Sequence, residues 1–286
     1  MLTQTPERMQ CLEVWGGNRA VDRALTTTGL DVCVYSSPHA NSQSGGDVCY
    51  VSSCASGRIT RILLADVSGH GDAVADRADI LRQLMRRNIN RIDQSSLVNS
   101  INQEFVVAST QGHFATALIG TFFAPTRMLT LSNAGHPYPL IYQHETGIWR
   151  ELKAEEPEPT DARNFPLGIE ADESYSDVRT KLNAGDLVLA FTDGLIEIEQ
   201  PDGQLLGANG LLEVVSGLEL SNPNRIIDSL IEKIAPQKNA INTGDDVSII
   251  LFQTNDERVS IRDNLLSPFR VAASFFNQGT DQKTEN

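Results

Sequence analysis

The chain has 286 residues, 40 % of them apolar, enough to bury the core of one large domain or two ordinary ones. With 37 acidic against 23 basic residues its formal charge is −14, which argues against charge-driven binding to nucleic acid or to an anionic membrane. No stretch approaches the roughly 18 to 20 continuous apolar residues a membrane span needs, and the opening MLTQTPERMQ has neither the basic nor the apolar region of a signal peptide, so the expected compartment is the cytoplasm.

Residues 1–27 read as an N-terminal extension in which Leu12, Val14, Trp15 and Val21 either pack on the domain or form a docking or homodimer segment. From about residue 30, LDVCVYSS (30–37), VCYVSSC (48–54) and ITRILLADV (59–67) read as strands of a meander. Cys33 and Cys49 fall inside these runs. Together with Cys11 and Cys54 they form no CxxC pair and have no histidine at zinc-ligand spacing, so all four read as reduced and mostly structural. Val74, Ala78, Leu81 and Met85 recur at helical intervals over 72–89, and Leu97, Ile101 and Phe105 share one face of a second helix.

Strands resume at 114–125, 127–134 and 138–143, with Ala124 to Thr126 as a tight connection. The acidic, proline-rich KAEEPEPTDARNFP (153–166) reads as an exposed loop, and GDLVLAFTDG (185–194) as a buried central strand. Helices are predicted over 209–218 and 222–236, the latter striped by Ile226, Ile227, Leu230, Ile231 and Ile234, before a last strand DVSIILFQ (246–253). The order of strands, two helices, strands, two helices and strand predicts an α+β fold of two packed sheets flanked by helix pairs. No linker or repeat interrupts it, so residues 28–254 read as one domain. Residues 255–286 read as a C-terminal extension, with a short helix starting at the Ser-Pro of SPFRVAASFFNQ, a cluster of Phe269, Phe275 and Phe276, and a disordered tail.

Four turns place aspartate at a strand end: SGGDV with Asp47, LLADVSGHG with Asp66, LAFTDGLIE with Asp193, and NTGDDVSII with Asp245 and Asp246. Aspartate beside glycine is commonly just a turn residue. Four such turns on packed sheets can converge, however, and converging carboxylates repel one another unless cations are present. Oxygen donors without Cys or His favour Mg²⁺ or Mn²⁺. Two such ions roughly 4 Å apart would share a water, lower its pKa and deliver hydroxide in line to phosphorus, the chemistry of a phosphate hydrolase. Thr192 and Ser68 beside these turns lack a nucleophile elbow or a paired base and read as hydrogen-bonding supports, while Asn133 and His136 read as turn formers. Arg19, Arg23, Arg58 and Arg61 read as ordinary surface residues, and none is singled out to grip phosphate.

In these motifs the sequence resembles the PPM family of metal-dependent Ser/Thr protein phosphatases (the type 2C fold), in its bacterial SpoIIE/RsbU branch. SGGDVCY is similar to that branch's GGDxY turn, LLADVSGHG to its GDVSGHG, HFATALIGTFF to its FxTAxxx segment and LSNAGHPYPLIY to its NAGHxPxL element. FPLGI, FTDGLIE and GDDVSIILF complete the series in order, over roughly residues 28 to 254. The resemblance implies a four-layer αββα sandwich with two mainly antiparallel sheets. It implies two Mn²⁺ or Mg²⁺ ions per site, held by Asp47, Asp66, the backbone carbonyl of Val67, Asp193 and Asp245, with adjacent Asp246 as the alternative to Asp245. The same aspartates would be catalytic through a metal-bridging hydroxide, without a covalent intermediate. In the eukaryotic pattern a histidine follows the metal aspartate by two residues; here Ser68 holds that offset and His70 lies two further on. A general-acid role for His70 is therefore not inherited, and its position equally suits capping or packing.

The substrate implied is a phosphoserine or phosphothreonine on a regulatory protein, of the kind of a STAS-type anti-sigma-factor antagonist in partner switching. Two other readings stand beside it: a phosphohydrolase of small phosphate esters, and a catalytically inactive pseudophosphatase serving as a protein-binding module. A binding module has no physical need to concentrate carboxylates at one cleft, which weighs against the last.

Overall fold

The computed structural model describes residues 7–8, 14–39, 44–54, 57–69, 72–109, 113–154, 165–235 and 245–257. The expected C-terminal helix with its phenylalanines, and most of the acidic loop at 153–166, lie outside these residues. The first half of the chain forms β1 (Glu7–Arg8), β2 (Val14–Gly17), β3 (Val21–Thr27), β4 (Leu30–Ser37), β5 (Asp47–Cys54), β6 (Ile59–Val67), α1 (Asp72–Asn88) and α2 (Gln94–Ala108). The second half forms β7 (Ala115–Phe123), β8 (Met128–Ala134), β9 (Leu140–Gln143), β10 (Ile148–Glu151), β11 (Asp177–Lys181), β12 (Leu187–Phe191), α3 (Asp193–Ile196), α4 (Gly207–Ser216), α5 (Ile226–Ile234) and β13 (Val247–Thr254).

One sheet runs β1-β3-β4-β13-β12-β9-β10 and the other β11-β8-β7-β6-β5-β2. All pairings are antiparallel except β1 with β3. The sheets face each other across a core that joins Val32, Val34 and Ile250 of the first to Val51, Leu64, Leu118 and Phe122 of the second. On the outer face of the second sheet, Val74, Leu81, Met85, Leu97, Ile101 and Phe105 of α1 and α2 cover Val48, Leu63, Ala65 and Ile119. On the outer face of the first, Leu211, Val215, Ile226, Ile227 and Leu230 of α4 and α5 cover Leu189, Phe191, Ile249 and Leu251. The result is the expected αββα sandwich. Coverage on both faces explains why β6 and β12 read as unbroken apolar runs rather than alternating ones.

The structure adds strands the sequence did not announce. β3 pairs along β4 and β2 along β5, ahead of the first strand expected at residue 30. β10 and β11 lie at sheet edges, and every residue of β11 keeps some solvent contact. β12 stops at Phe191, three residues short of the expected strand end, because Asp193 opens α3. The buried Cys33 and Cys49 are free thiols in the core, and burial pushes the Cys33 thiol up to about 12.

Arg61 requires a correction: it is 1 % exposed rather than a surface residue. It points from β6 toward the start of α2, where its guanidinium donates to the Thr121 hydroxyl and to the Arg91 carbonyl. Thr121 in turn donates to the Gln94 side-chain oxygen, and the Gln94 amide donates to the Ile119 carbonyl (2.9 Å) and to Ser132 Oγ (3.1 Å). Ser132 and Ser95 both donate to Asp177, at 2.6 and 3.2 Å. A chain of polar partners makes burial of the charge tolerable.

Candidate active site

β5 begins at Asp47 and β6 ends near Asp66, and the antiparallel register sets these two residues opposite each other. β12 ends just before Thr192 and Asp193, and β13 begins just after Asp245 and Asp246, with Phe191 opposite Ile249. The four acidic turns therefore open at the same end of the sandwich, two from each sheet, and hydrogen bonds join them there.

Asp246 makes the junction. Its carboxylate accepts main-chain N–H bonds from His39 (2.6 Å), Gly46 (2.6 Å) and Asp47 (3.3 Å). The glycine pair of SGGD makes this approach possible, because a Cβ on Gly45 would fall 2.1 Å from Asp246 Oδ2. Gly194 meets the same residue from the other side, where a Cβ would lie 2.0 Å from the Asp246 carbonyl oxygen. The neighbouring acid faces the other way: Asp245 is exposed, and its Oδ1 accepts the Asp246 N–H at 2.8 Å. The resemblance places Asp245 first, with Asp246 as its alternative.

Asp47 is 3 % exposed, and its Oδ2 accepts a bond from the Thr192 hydroxyl at 2.8 Å. That hydroxyl accepts the Ser248 N–H at 2.9 Å, so its own proton is directed at Asp47. Thr192 is thus the support expected of it. Ser68 Oγ accepts the Phe114 N–H at 3.1 Å and ties the exit of β6 to the approach of β7.

Burial raises the Asp47 carboxyl well above its ordinary range, and the Asp66 charge raises it further. Asp66 is pushed up to about 7, first by burial and then by Asp193, Asp245, Asp246 and Glu197. Asp245 is raised by burial and by Asp193 and Asp246, against the lowering effect of its bond from Asp246. Glu197 belongs to this group although the sequence reading passed over it; burial, Asp193 and Asp245 all raise its carboxyl. The signal was present in FTDGLIE, since Glu197 follows Asp193 by four residues, one helical turn. Among the described residues the acids raise one another, and His39 opposes them at Asp245.

Among the described residues, no group of three or more His, Cys, Asp and Glu side chains is drawn together tightly enough to hold a metal ion as it stands. The acids load one another electrostatically while remaining splayed. Their all-oxygen, mutually repelling donor set fits a hard divalent cation, whose charge would relieve the repulsion.

His70 lies outside the described residues. Asn133 fixes the following turn as expected, donating to the His136 carbonyl and accepting the His136 N–H, both at 2.8 Å. His136 is more than a surface turn former. It is 5 % exposed, its Nδ1 lies 3.0 Å from the Thr116 hydroxyl, and burial pushes its imidazole down to about 3, so it is neutral. Thr116 is the register partner of Asp66, so the histidine sits beside the end of β7 that faces that acid.

The family model described as Stage II sporulation protein E (SpoIIE) matches residues 56–255, more than half of the chain. The chain belongs to the SpoIIE family. Its fold matches the RsbU and RsbW domains of Rv1364c from Mycobacterium tuberculosis with a TM-score of 0.67 at 23 % identity, over 85 % of this chain and 64 % of that one. It matches the PP2C phosphatase domain and regulatory-domain fragment of SpoIIE from Bacillus subtilis with a TM-score of 0.64 at 18 % identity, over 80 % and 65 % of the two chains. It matches the catalytic domain of the serine/threonine protein phosphatase PstP, solved with two manganese ions, with a TM-score of 0.53 at 16 % identity, over 80 % and 100 % of the two chains. Protein IcfG of Synechocystis is 22 % identical over 142 residues, which is 50 % of this chain and 21 % of that protein. The chain thus spans about a fifth of the length of this curated relative. At such identities the structural likenesses establish the fold, that of PP2C-type phosphatase domains.

Proposed function

We propose that the chain is a metal-dependent protein phosphatase that hydrolyses phosphoserine or phosphothreonine on a regulatory protein of the STAS-type anti-sigma-factor antagonist kind. The observation that carries this reading is that the turns of Asp47, Asp66, Asp193 and Asp245 come from both sheets to one end of the sandwich, where the acids raise one another and Asp66 is pushed up to about 7. Membership of the SpoIIE family and likeness to a phosphatase solved with two manganese ions support it. The likeness to a chain named for RsbU and RsbW domains supports a protein substrate.

Asp47, Asp66, Asp193, Asp245 and the Val67 carbonyl would hold Mn²⁺ or Mg²⁺. Bound there, such ions supply Lewis-acid activation of water and neutralisation of phosphoryl charge. The chain's own residues do the positioning. Thr192 fixes the Asp47 carboxylate, Asp246 consumes its carboxylate on three amides and so turns Asp245 outward, and the glycines at 45 and 194 let the turns meet. Asp246 acts as a brace rather than a ligand.

The test uses metal-stripped protein and an aryl phosphate, with and without added Mn²⁺. Hydrolysis is expected only with the cation, and Asp193→Asn is expected to lower it on the order of 100-fold while calorimetry registers weaker cation binding. Full activity of that variant at saturating Mn²⁺ would remove Asp193 from the assignment. Neither hydrolysis nor cation binding by the native chain would leave the binding-module reading in its place.

A further inference from the structure

We infer that Asn18, in the turn between β2 and β3, is a positioning residue of the candidate active site: it clamps the SGGD turn to α1 and so fixes where Asp47 and the Val67 carbonyl stand for a cation, an assignment that rests on the phosphatase reading above. β2 pairs antiparallel with β5, with Gly17 opposite Cys49, and this register carries the next residue, Asn18, alongside the turn that leads into Asp47. There Asn18 takes both main-chain groups of Gly45. Its main-chain carbonyl accepts the Gly45 N–H at 2.8 Å, and its side-chain amide donates to the Gly45 carbonyl at 3.3 Å. The same amide nitrogen donates to the carbonyl of Ala75, in the first turn of α1, at 3.1 Å. A carboxamide suits this place because its nitrogen carries two N–H groups, one for each carbonyl, whereas an aspartate would bring no donor and a serine only one.

The next glycine shows what the clamp controls. Gly46 donates to Asp246 Oδ2 at 2.6 Å, and its carbonyl accepts the Val67 N–H at 3.3 Å. It packs so closely there that a Cβ would fall 2.9 Å from the Val67 carbonyl oxygen and from Val74 Cγ1 of α1, and 3.3 Å from Asp66 Oδ1. The turn is thus gripped from two sides, by Asp246 of the first sheet and by Asn18 at the edge of the second. Asp246 holds Gly46 and Asp47, while Asn18 holds Gly45 and ties it to α1. Without the side-chain amide, the Gly45 carbonyl is free to turn toward water, and the turn keeps a single main-chain bond on that side. Asn18 is half-buried, so water can replace its lost bonds and the fold survives; what shifts is the placing of Asp47 and the Val67 carbonyl.

The test compares the full native chain with Asn18→Ala, with Asn18→Leu, which keeps the bulk but not the donors, and with Leu230→Ala, a core variant in α5 that lowers stability away from the turn. Hydrogen exchange of metal-free protein is expected to show residues 44–48 opening about tenfold faster in both Asn18 variants, through a local opening that Leu230→Ala does not share. Calorimetry should show Mn²⁺ bound about tenfold more weakly by both Asn18 variants, and with native affinity by Leu230→Ala. Aryl phosphate turnover should then need more Mn²⁺ for half its maximum, with the rate at saturating Mn²⁺ within about twofold of native. Native exchange at 44–48 in both Asn18 variants would overturn the clamp. Faster exchange with native Mn²⁺ affinity, or an equal loss of affinity in Leu230→Ala, would overturn the role of Asn18 in placing the ligands. A native chain that binds no Mn²⁺ would refute the phosphatase reading, and with it the cation part of this assignment, while the exchange rates would still decide whether Asn18 holds the turn.

Discussion

The two helical layers hold to the central sandwich by different physics. α4 and α5 lie on the first sheet through Leu211, Val215, Ile226, Ile227 and Leu230, an apolar contact with no preferred direction. α1 and α2 make a comparable apolar contact with the second sheet, but the start of α2 is also bolted by Arg61, Gln94, Thr121, Ser132 and Asp177. Hydrogen bonds carry direction, so this layer has one register against its sheet. The layer that is fixed this way is the one beside the candidate active site, where Val74 packs under the glycines at 46 and 69. Stability can come from either kind of contact; positioning comes from the directional one.

That contrast can be broken by paired substitutions. The largest effect is expected at Arg61→Ala, which takes the buried donor from the Arg91 carbonyl and from the Thr121–Gln94 pair, leaves a cavity, and should cost about 4 kcal/mol in urea unfolding. Arg61→Met restores volume without restoring donors, so it should recover less than half of that loss. Leu230→Ala should cost about 3 kcal/mol through the cavity it leaves, yet Leu230→Met should cost under about 1.5 kcal/mol. If methionine rescued both sites equally, the polar bolt would have no directional role.

A smaller effect sharpens the same comparison through pH. Without cation, folded Asp66 keeps its proton up to about 7, while the unfolded chain releases it near the ordinary 3.8. Its contribution to stability is therefore complete below the lower value and is lost as pH rises through the higher one. Hydrogen exchange of metal-free protein should show protection of β6 and α1 falling between pH 5 and about 7, with α5 less affected. Mn²⁺ should remove the slope by compensating the charge, and Asp66→Asn should reduce it by deleting one of the raised groups, Asp47, Asp245 and Glu197 remaining. Equal loss of protection in α5 would mean that the acidic end is not coupled selectively to the second sheet.

Much of this arrangement was legible in the sequence, for reasons that differ by element. The period of Val74, Ala78, Leu81 and Met85 gave α1, and the unbroken LVLAF gave a strand covered on both faces. β10 and β11 were missed because edge strands carry polar, half-exposed side chains and lack the apolar signal of interior ones. The sequence showed that the acids at strand ends can converge, since turns between antiparallel neighbours gather at the two ends of a sheet, but not that these four share one end. The sequence could not reveal that Asp246 faces inward and Asp245 outward, because that depends on which amides the fold brings within reach. Arg61 differs from its sequence reading for a related reason: a lone arginine in a strand looks solvent-facing until its partners in α2 and β7 and the Arg91 carbonyl are known.

The Asp246 junction also determines where damage will show. Gly45 and Gly194 carry no functional group, yet each presses so closely on Asp246 that even a methyl group would force two acidic turns apart. In a survey of substitutions scored by turnover, these two positions should therefore rank with the carboxylates, so that in this protein intolerance to change marks empty space as well as chemistry.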